Sequence, residues 1–199
     1  MPDKRCRVAG IILAAGMGTR MGGPKALIQL NGETALLRLC RQMQNIGLDP
    51  ILPVVNETVE TELSEQLSAM GISTVLNEDL DLGPLHSIHL GLERIPDSTQ
   101  AMMILPVDFP RIRSTTFSTL INAASEDRIL LPTHGGRRGH PPVMGREFFD
   151  QVRGLDLDGG LRQLYREVAD DQIVELAVDD PAIHWNVNTA SDLERFKWI

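Results

Sequence analysis

The chain has 199 residues, of which 42% are hydrophobic, and its formal net charge at pH 7 is −8. This length and composition suit one compact domain over residues 1–199 with a sizeable core. The acidic balance argues against broad nucleic-acid binding, which relies on a basic surface, but allows a small anionic ligand held by a few local cations.

The N-terminal sequence and the cysteine content favour a cytoplasmic protein. The N-terminal segment MPDKRCR is charged and leads directly into an apolar run, which is not typical of a secretory signal peptide. No apolar run approaches the roughly 20 residues needed to span a bilayer, so no membrane association is expected. Cys6 and Cys40 form no C-x-x-C pair, so neither a disulfide framework nor a structural zinc site is indicated.

The order of the predicted elements indicates an α/β fold. Apolar runs at residues 8–13, 51–55, 72–76 and 101–107 predict strands, and apolar residues at helical spacing lie between them. This alternation predicts a mainly parallel sheet with helices on both faces. Pro53 favours an edge position for its strand. Later strands are predicted at residues 129–132, 143–144, 173–177 and 182–186, some of them antiparallel, and Ser114 is predicted to cap a helix.

The segment Leu13–Lys25, LAAGMGTRMGGPK, follows the first strand and has the composition of a phosphate-binding loop. Its glycines let backbone N–H groups approach an anion, and Arg20 and Lys25 supply cations that match phosphoryl oxygens. A glycine-rich turn with two solvated cations is the alternative. The loop is neither of two familiar types, because Met21 replaces the third glycine of G-x-G-x-x-G and Ala26 follows the lysine where Walker A has Ser or Thr.

Three later features are also candidates for a ligand site. Asp108 follows the most apolar strand and is a suitable Mg²⁺ ligand. The alternative is that Asp108 only caps the following turn, which is a common role for aspartate. A helix is predicted from Pro84, and its N-terminus could bind an anion or a polar ligand group. The alternative is a capped helix with no ligand. The loop around Arg137, Arg138 and His140 either closes over an anionic acceptor or forms a solvated hairpin.

The loop sequence resembles the signature L-A-x-G-x-x-x-R-M-G-x-x-K of the MobA/MocA-like nucleotidyltransferases. Further blocks extend the similarity over nearly the whole chain: the Asn77–Gly91 segment, the strand-terminal Asp108, Gly139-His140-Pro141, and the segment from Asn186. The resemblance implies a Rossmann-like three-layer α/β/α fold. It also implies that a nucleoside triphosphate lies across the loop and that Mg²⁺ assists transfer of the nucleotide to a phosphorylated acceptor, with release of pyrophosphate.

The resemblance also implies roles for individual residues. The implied catalytic residues are Arg20, Lys25 and Asp108; the implied nucleotide contacts are Leu13, Ala14, Ala15, Gly16, Gly18, Thr19, Asn77, Gly83 and Ser87; the implied metal ligands are Asp108 and Asn188; and Arg137, Arg138 and His140 lie on the acceptor side. The chain departs from the pattern where Ala190 replaces a usual proline. Asn188 supplies an amide, which is a weaker Mg²⁺ ligand than a carboxylate.

Two details bear on the substrates that the resemblance implies. Ala15 and the Gly139–Pro141 block are more similar to the cytidylyltransferase branch, which implies CTP and a molybdopterin-type cofactor. Gly83-Pro84-Leu85 resembles the guanylyltransferase branch, so GTP is an alternative nucleotide substrate. Transfer to a sugar phosphate or a small phosphorylated acid is a further alternative. A nucleotide-binding accessory module without turnover is the alternative from another functional class.

Overall fold

A central eight-stranded sheet organises the computed structural model, which describes residues 5–19 and 22–195. In chain order the strands are β1 (Val8–Ala14), β2 (Gln29–Leu30), β3 (Glu33–Thr34), β4 (Ile51–Val55), β5 (Val75–Leu76), β6 (Ala101–Pro106), β7 (Ile129–His134), β8 (Arg137–Arg138), β9 (Val143–Gly145) and β10 (Ile173–Ala177). The helices are α1 (Ala35–Asn45), α2 (Glu57–Ala69), α3 (Gly83–Leu92), α4 (Ser114–Ala123), α5 (Phe149–Arg153), α6 (Leu161–Glu167) and α7 (Ala190–Arg195).

The central sheet is mainly parallel, which confirms the predicted fold class. Its strand order is β10-β7-β9-β6-β1-β4-β5, with β8 paired to β7, while β2 and β3 form a separate hairpin. The neighbours of β1, which are β4 and β6, both run parallel to it. Strand β9 is antiparallel to both β6 and β7, so those two strands run in the same direction.

Alternate residues of the central strands face two separate hydrophobic layers. In β1, Ile12 belongs to the layer covered by α1, α2 and α4, whereas Ile11 belongs to the layer covered by α3, α5 and α6. The same alternation occurs in β6 at Met103 and Met102. Both faces of a parallel sheet are buried in this way when helices cover each side, and the strands therefore appear in the sequence as continuous apolar runs.

Three local predictions were wrong, each for an identifiable reason. Pro53 is not on an edge strand: β4 lies between β1 and β5, but β5 pairs only with Val54 and Val55, so its ladder begins after the proline. Residues 182–186 are not a strand, because Asp180 caps a short 3-10 helix over Pro181–His184 by accepting from Ala182 N–H. Arg113, rather than Ser114, occupies the N-cap position of α4.

The parallel topology brings several loops to one edge of the sheet. Ala14 is paired with Val55 and Leu13 with Pro106, so β1, β4 and β6 end side by side. The residues that follow these strands therefore share the carboxyl edge, where open α/β sheets bind their ligands. Across the described residues, no helix has the length and apolarity that crossing a membrane would require.

Candidate active site

The glycine-rich loop makes a tight bend directly after β1. Gly18 has a φ of +58°, and its carbonyl oxygen accepts a hydrogen bond of 3.3 Å from Gly23 N–H. A Cβ atom at Gly18 would lie 2.0 Å from the Gly23 carbonyl oxygen, so only glycine fits this bend. Gly16 is exposed, and a Cβ atom added to it would have nothing within 4 Å, which leaves its backbone accessible to a ligand.

Asn56 fixes the start of this loop to the neighbouring strand end. Its Nδ2–H group donates a hydrogen bond of 2.8 Å to the Ala15 carbonyl oxygen, and its Oδ1 accepts from Val59 N–H at 2.9 Å as the N-cap of α2. The side chain is buried, with 3% exposure. One asparagine therefore caps a helix and positions the backbone that enters the glycine-rich loop.

Lys25 lies between two oxygen atoms that come from distant parts of the chain. Its Nζ is 3.1 Å from Asp108 Oδ2 and 2.5 Å from Asn188 Oδ1. The ion pair is largely sheltered, because the Lys25 and Asp108 side chains are 21% and 18% exposed. The remaining carboxylate oxygen, Asp108 Oδ1, is buried without a hydrogen-bond partner among the described residues.

The segment that carries Asn188 is held against Asp108 by the backbone. Val187 N–H donates a hydrogen bond of 2.7 Å to the Asp108 carbonyl oxygen. Asp192 Oδ2 then accepts from Asn188 N–H at 2.9 Å and from Thr189 N–H at 2.8 Å at the start of α7. The backbone around Asn188 is thus fixed beside Asp108, although 80 residues separate these two residues in the chain.

The chemistry of this pair suits a hard divalent cation. A buried carboxylate oxygen without a partner and a neighbouring amide oxygen are donors that Mg²⁺ and Mn²⁺ accept. Within residues 5–19 and 22–195, no three His, Cys, Asp or Glu side chains form a cluster that would hold a metal by themselves. Such a cation would therefore need additional oxygen ligands, which phosphates and water supply.

A pocket of about 460 Å³ opens beside this ion pair. The glycine-rich loop, the end of β6 and the N-terminal turn of α3 form its walls, with Gly16, Lys25, Asn77, Gly83, Ser87 and Asp108 among the lining residues. Asn77 and Ser87 are buried, and Asn77 Nδ2–H donates to Ser87 Oγ at 2.9 Å. Two polar side chains from different elements are thereby held in place in the wall of the pocket.

A second pocket, of about 730 Å³, adjoins the first and shares Leu13, Pro84 and Pro106 with it. The β7–β8 hairpin contributes the exposed Arg137 and Arg138, of which Arg138 also forms an ion pair of 2.8 Å with Glu175. The two pockets together form one cleft, and the cationic side chains of Arg137 and Arg138 line its second pocket.

His140 lies half-buried in the wall of the second pocket. Its ring centroid is 4.5 Å from that of Phe109, and its Nδ1 is buried without a partner in the described structure. Burial lowers the pKa of His140, the neighbouring Asp108 opposes this shift, and His184 adds to it. The environment of His140 therefore favours the neutral form of the imidazole.

Comparison with known proteins places most of the chain in one family. Residues 10–173 match the family described as the MobA-like NTP transferase domain. The chain belongs to this family. It is therefore a nucleotidyltransferase by enzyme class, and the resemblance inferred from the glycine-rich loop is confirmed.

Several relatives of this MobA-like NTP transferase can be compared in more detail. A probable molybdenum cofactor guanylyltransferase of Bacillus cytotoxicus is 29% identical over 143 residues, which cover 69% of this chain and 67% of that protein. A second protein of that name, from Opitutus terrae, is 27% identical over 128 residues, which cover 64% of this chain. The match spans 60–67% of the length of these two relatives. The crystal structure of Rv0371c from Mycobacterium tuberculosis H37Rv superposes with a TM-score of 0.83 at 23% identity, covering 96% of this chain and 97% of that one. Its complex with manganese superposes with a TM-score of 0.77 at 22% identity, covering 95% and 97%.

The MobA-like NTP transferase brings together most of the residues predicted for the site. Leu13, Ala15, Gly16, Gly18, Lys25, Asn77, Gly83, Ser87 and Asp108 line the first pocket, and Arg137, Arg138 and His140 line the second. Ala14 is instead buried in the core at the end of β1, and the exposed Thr19 does not line the pocket. Arg20 lies outside the described residues.

Two contributions to the cleft were not predicted from the sequence. Asn56 follows a strand and precedes a helix, which signals an N-cap, but its hydrogen bond to Ala15 depends on how β1 and β4 are paired. Arg162 and Tyr165 of α6 line the second pocket, and burial raises the pKa of Tyr165, so its phenol remains protonated. In the sequence, these two residues belong to an ordinary amphipathic helix.

Proposed function

We propose that this MobA-like NTP transferase transfers a nucleoside monophosphate from an NTP to the phosphate of a pterin-type acceptor, with release of pyrophosphate. The observation that carries the proposal is the meeting of two pockets beside the Lys25–Asp108 ion pair. The first pocket offers a glycine-rich loop for a triphosphate, and the second offers arginines for an anionic acceptor. The names of the guanylyltransferase relatives support a molybdenum cofactor as that acceptor.

In the proposed reaction, an oxygen of the acceptor phosphate forms a bond to the α-phosphorus of the NTP. The bond from the α-phosphorus to the bridging oxygen breaks, and that oxygen leaves with pyrophosphate. No covalent enzyme intermediate is needed, because positioning and charge neutralisation supply the catalysis of such transfers. The loop backbone would hold the triphosphate, Lys25 and Arg20 would neutralise its charge, and Asn77 and Ser87 would contact the nucleoside.

A divalent cation, proposed as Mg²⁺, would be held by Asp108 and Asn188. When bound, it would supply charge neutralisation at the phosphates that react. The partnerless Asp108 Oδ1 supports this assignment, as does the manganese complex of Rv0371C. Of these two side chains, only Asp108 would supply a negative charge to balance the cation, since the amide of Asn188 is neutral and is the weaker ligand.

Two nucleotides are proposed, each supported by a different observation. Ala15 and the Gly139–Pro141 block support CTP, through their similarity to the cytidylyltransferase branch. The relatives named as guanylyltransferases support GTP. Either base would occupy the first pocket, which Asn77 and Ser87 line.

A two-stage experiment tests the proposal. Thermal shifts with CTP, GTP, UTP and ATP in Mg²⁺ would identify the base, because the nucleotide that binds most tightly stabilises the fold most. Pyrophosphate release is then measured with that nucleotide and with molybdopterin-type cofactor, a sugar phosphate or no acceptor. Release that depends on the pterin acceptor is expected. Nucleotide binding without turnover of any acceptor would instead support an accessory module.

A further inference from the structure

The Lys25 ammonium occupies the position between the two side chains proposed as metal ligands. Asp108 Oδ2 and Asn188 Oδ1 both contact Nζ, at 3.1 Å and 2.5 Å. An ammonium group donates hydrogen bonds to the same kinds of oxygen atom that coordinate Mg²⁺. The Lys25 ammonium and a divalent cation would therefore bind the same two oxygen atoms. The Lys25 and Asp108 side chains are both largely sheltered from solvent, which makes the position between these oxygens costly to leave without positive charge.

A divalent cation and Lys25 cannot hold this position together. Two positive charges a few ångströms apart repel strongly at a site that is only partly exposed to water. Asp108 Oδ1 is still free for coordination, but its carboxylate is already neutralised through Oδ2. A metal that binds both Asp108 and Asn188 must therefore displace the ammonium.

We propose that Lys25 is a resident counter-ion, which the divalent cation displaces and thereby releases toward the phosphates of the nucleotide. The proposal rests on the metal ligands assigned in the proposed function. Lysine suits this task because its charge is compact and its four-carbon stem is flexible. Lys25 also lines the first pocket. After displacement, its Nζ could therefore contact a triphosphate bound in the same cavity.

This exchange predicts coupled binding. Free metal must compete with Lys25, whereas bound phosphates offer the ammonium an alternative partner. Metal and nucleotide therefore assist each other's binding, as linkage requires when one ligand relieves a cost paid by the other. The protein alone should bind divalent cations weakly.

The first test measures binding of Mn²⁺ alone to the nucleotide-free protein, by loss of the free-ion signal in electron paramagnetic resonance. Lys25→Met should bind Mn²⁺ at least about tenfold more tightly than the wild-type protein, because the competing charge is gone. Lys25→Met/Asp108→Asn should lose this gain. Arg94→Met is the matched control, since it removes the same charge from an exposed position beyond α3. Equal affinity in Lys25→Met and wild type, or a gain that survives Asp108→Asn, would overturn the proposal.

The second test uses the unmodified sequence, so it does not depend on how a variant folds. The chain has three lysines, Lys4, Lys25 and Lys197, which mass spectrometry of acetylated peptides can separate. Mg²⁺ should raise the acetylation rate of Lys25 relative to the other two by releasing its ammonium. An unchanged ratio at saturating Mg²⁺ would contradict the exchange. Neither test needs turnover, so the exchange and the proposed reaction can fail separately.

Discussion

Lys25 Nζ and Asp108 Oδ2 lie 3.1 Å apart although 83 residues separate them in the chain. Their meeting depends on one topological fact: β6 pairs in parallel with β1, with Leu13 opposite Pro106. Asp108 follows the end of β6, and Lys25 closes the loop that follows β1. The ion pair therefore joins the glycine-rich loop to the edge of the sheet, and both residues line the same pocket.

Replacement of Lys25 by alanine should abolish most of the activity and leave the fold intact. Loss of a preorganised charge at the reacting phosphates is expected to lower kcat by at least about a hundredfold. Removal of the ammonium leaves the sheltered Asp108 carboxylate without its ion-pair partner, which should cost about 1–3 kcal/mol of stability, so the melting temperature should fall by about 2–10 °C without loss of the fold. Pyrophosphate release and thermal unfolding measure the two effects.

Arg41→Ala is the control for this variant. It removes a cation that pairs with Glu33 on the surface, away from the cleft. Its activity should match that of the wild-type protein. Near-normal turnover by Lys25→Ala would remove Lys25 from the proposed role.

Asn56→Ala should destabilise the protein and weaken nucleotide binding together. The variant loses the N-cap of α2 and leaves the buried Ala15 carbonyl without its donor, which costs about 2–4 kcal/mol in the free energy of unfolding. The same change loosens the start of the glycine-rich loop, so the Kd for the nucleotide should rise. Urea denaturation and nucleotide titration provide the measurements.

Asn56→Asp separates the two roles of this side chain. Aspartate is an equally good N-cap, but it cannot donate to the Ala15 carbonyl oxygen. This variant should therefore keep α2 capped and still weaken nucleotide binding. If Asn56→Asp binds nucleotide as the wild-type protein does, the hydrogen bond to Ala15 does not position the loop.

The sequence allowed the fold class and most of the cleft to be predicted because these depend on local patterns. Apolar runs that alternate with helical stripes predict a parallel sheet, and the ends of its strands must then share an edge. Asp108 was identified for this reason, since it directly follows the most apolar strand. The glycine-rich loop was recognisable from its own composition.

Other features could not be predicted, because they depend on contacts between distant segments. The Asn56–Ala15 hydrogen bond requires the pairing of β1 with β4, which no local pattern specifies. The resemblance implies that Asn188 is a metal ligand, but its contact with Lys25 joins segments 163 residues apart and has no local signal. The apolar character of residues 182–186 predicts a strand, but the capping of Pro181–His184 by Asp180 outweighs it.

Stability should fall below neutral pH in a way that depends on His140. Its pKa is lowered in the folded protein, chiefly by burial, so the unfolded chain binds a proton at a higher pH than the folded one. Stability from this residue is therefore fully present above the unfolded pKa of about 6.5 and is lost as the pH falls below it.

His140→Phe isolates this contribution. Phenylalanine keeps an aromatic ring against Phe109 but does not titrate. Free energies of unfolding measured between pH 8 and pH 5 should decline less steeply for this variant than for the wild-type protein. Parallel curves would show that His140 does not contribute to the acid sensitivity.

Gly18→Ala should impair nucleotide binding without unfolding the protein. The residue has a φ of +58°, and the added methyl group would lie 2.0 Å from the Gly23 carbonyl oxygen, so the loop must move. A left-handed alanine by itself costs about 1 kcal/mol, and the collision adds to that cost locally. The Kd for the preferred nucleotide is expected to rise at least about tenfold, as measured by calorimetry.

Gly32→Ala provides the matched control for this effect. Gly32 also has a positive φ, of +85°, but nothing lies within 4 Å of its added methyl position and it belongs to the turn between β2 and β3. The two variants share the conformational penalty, and only Gly18→Ala distorts the loop beside the pocket. Equal nucleotide affinities for the two variants would mean that the bend at Gly18 does not shape the binding site.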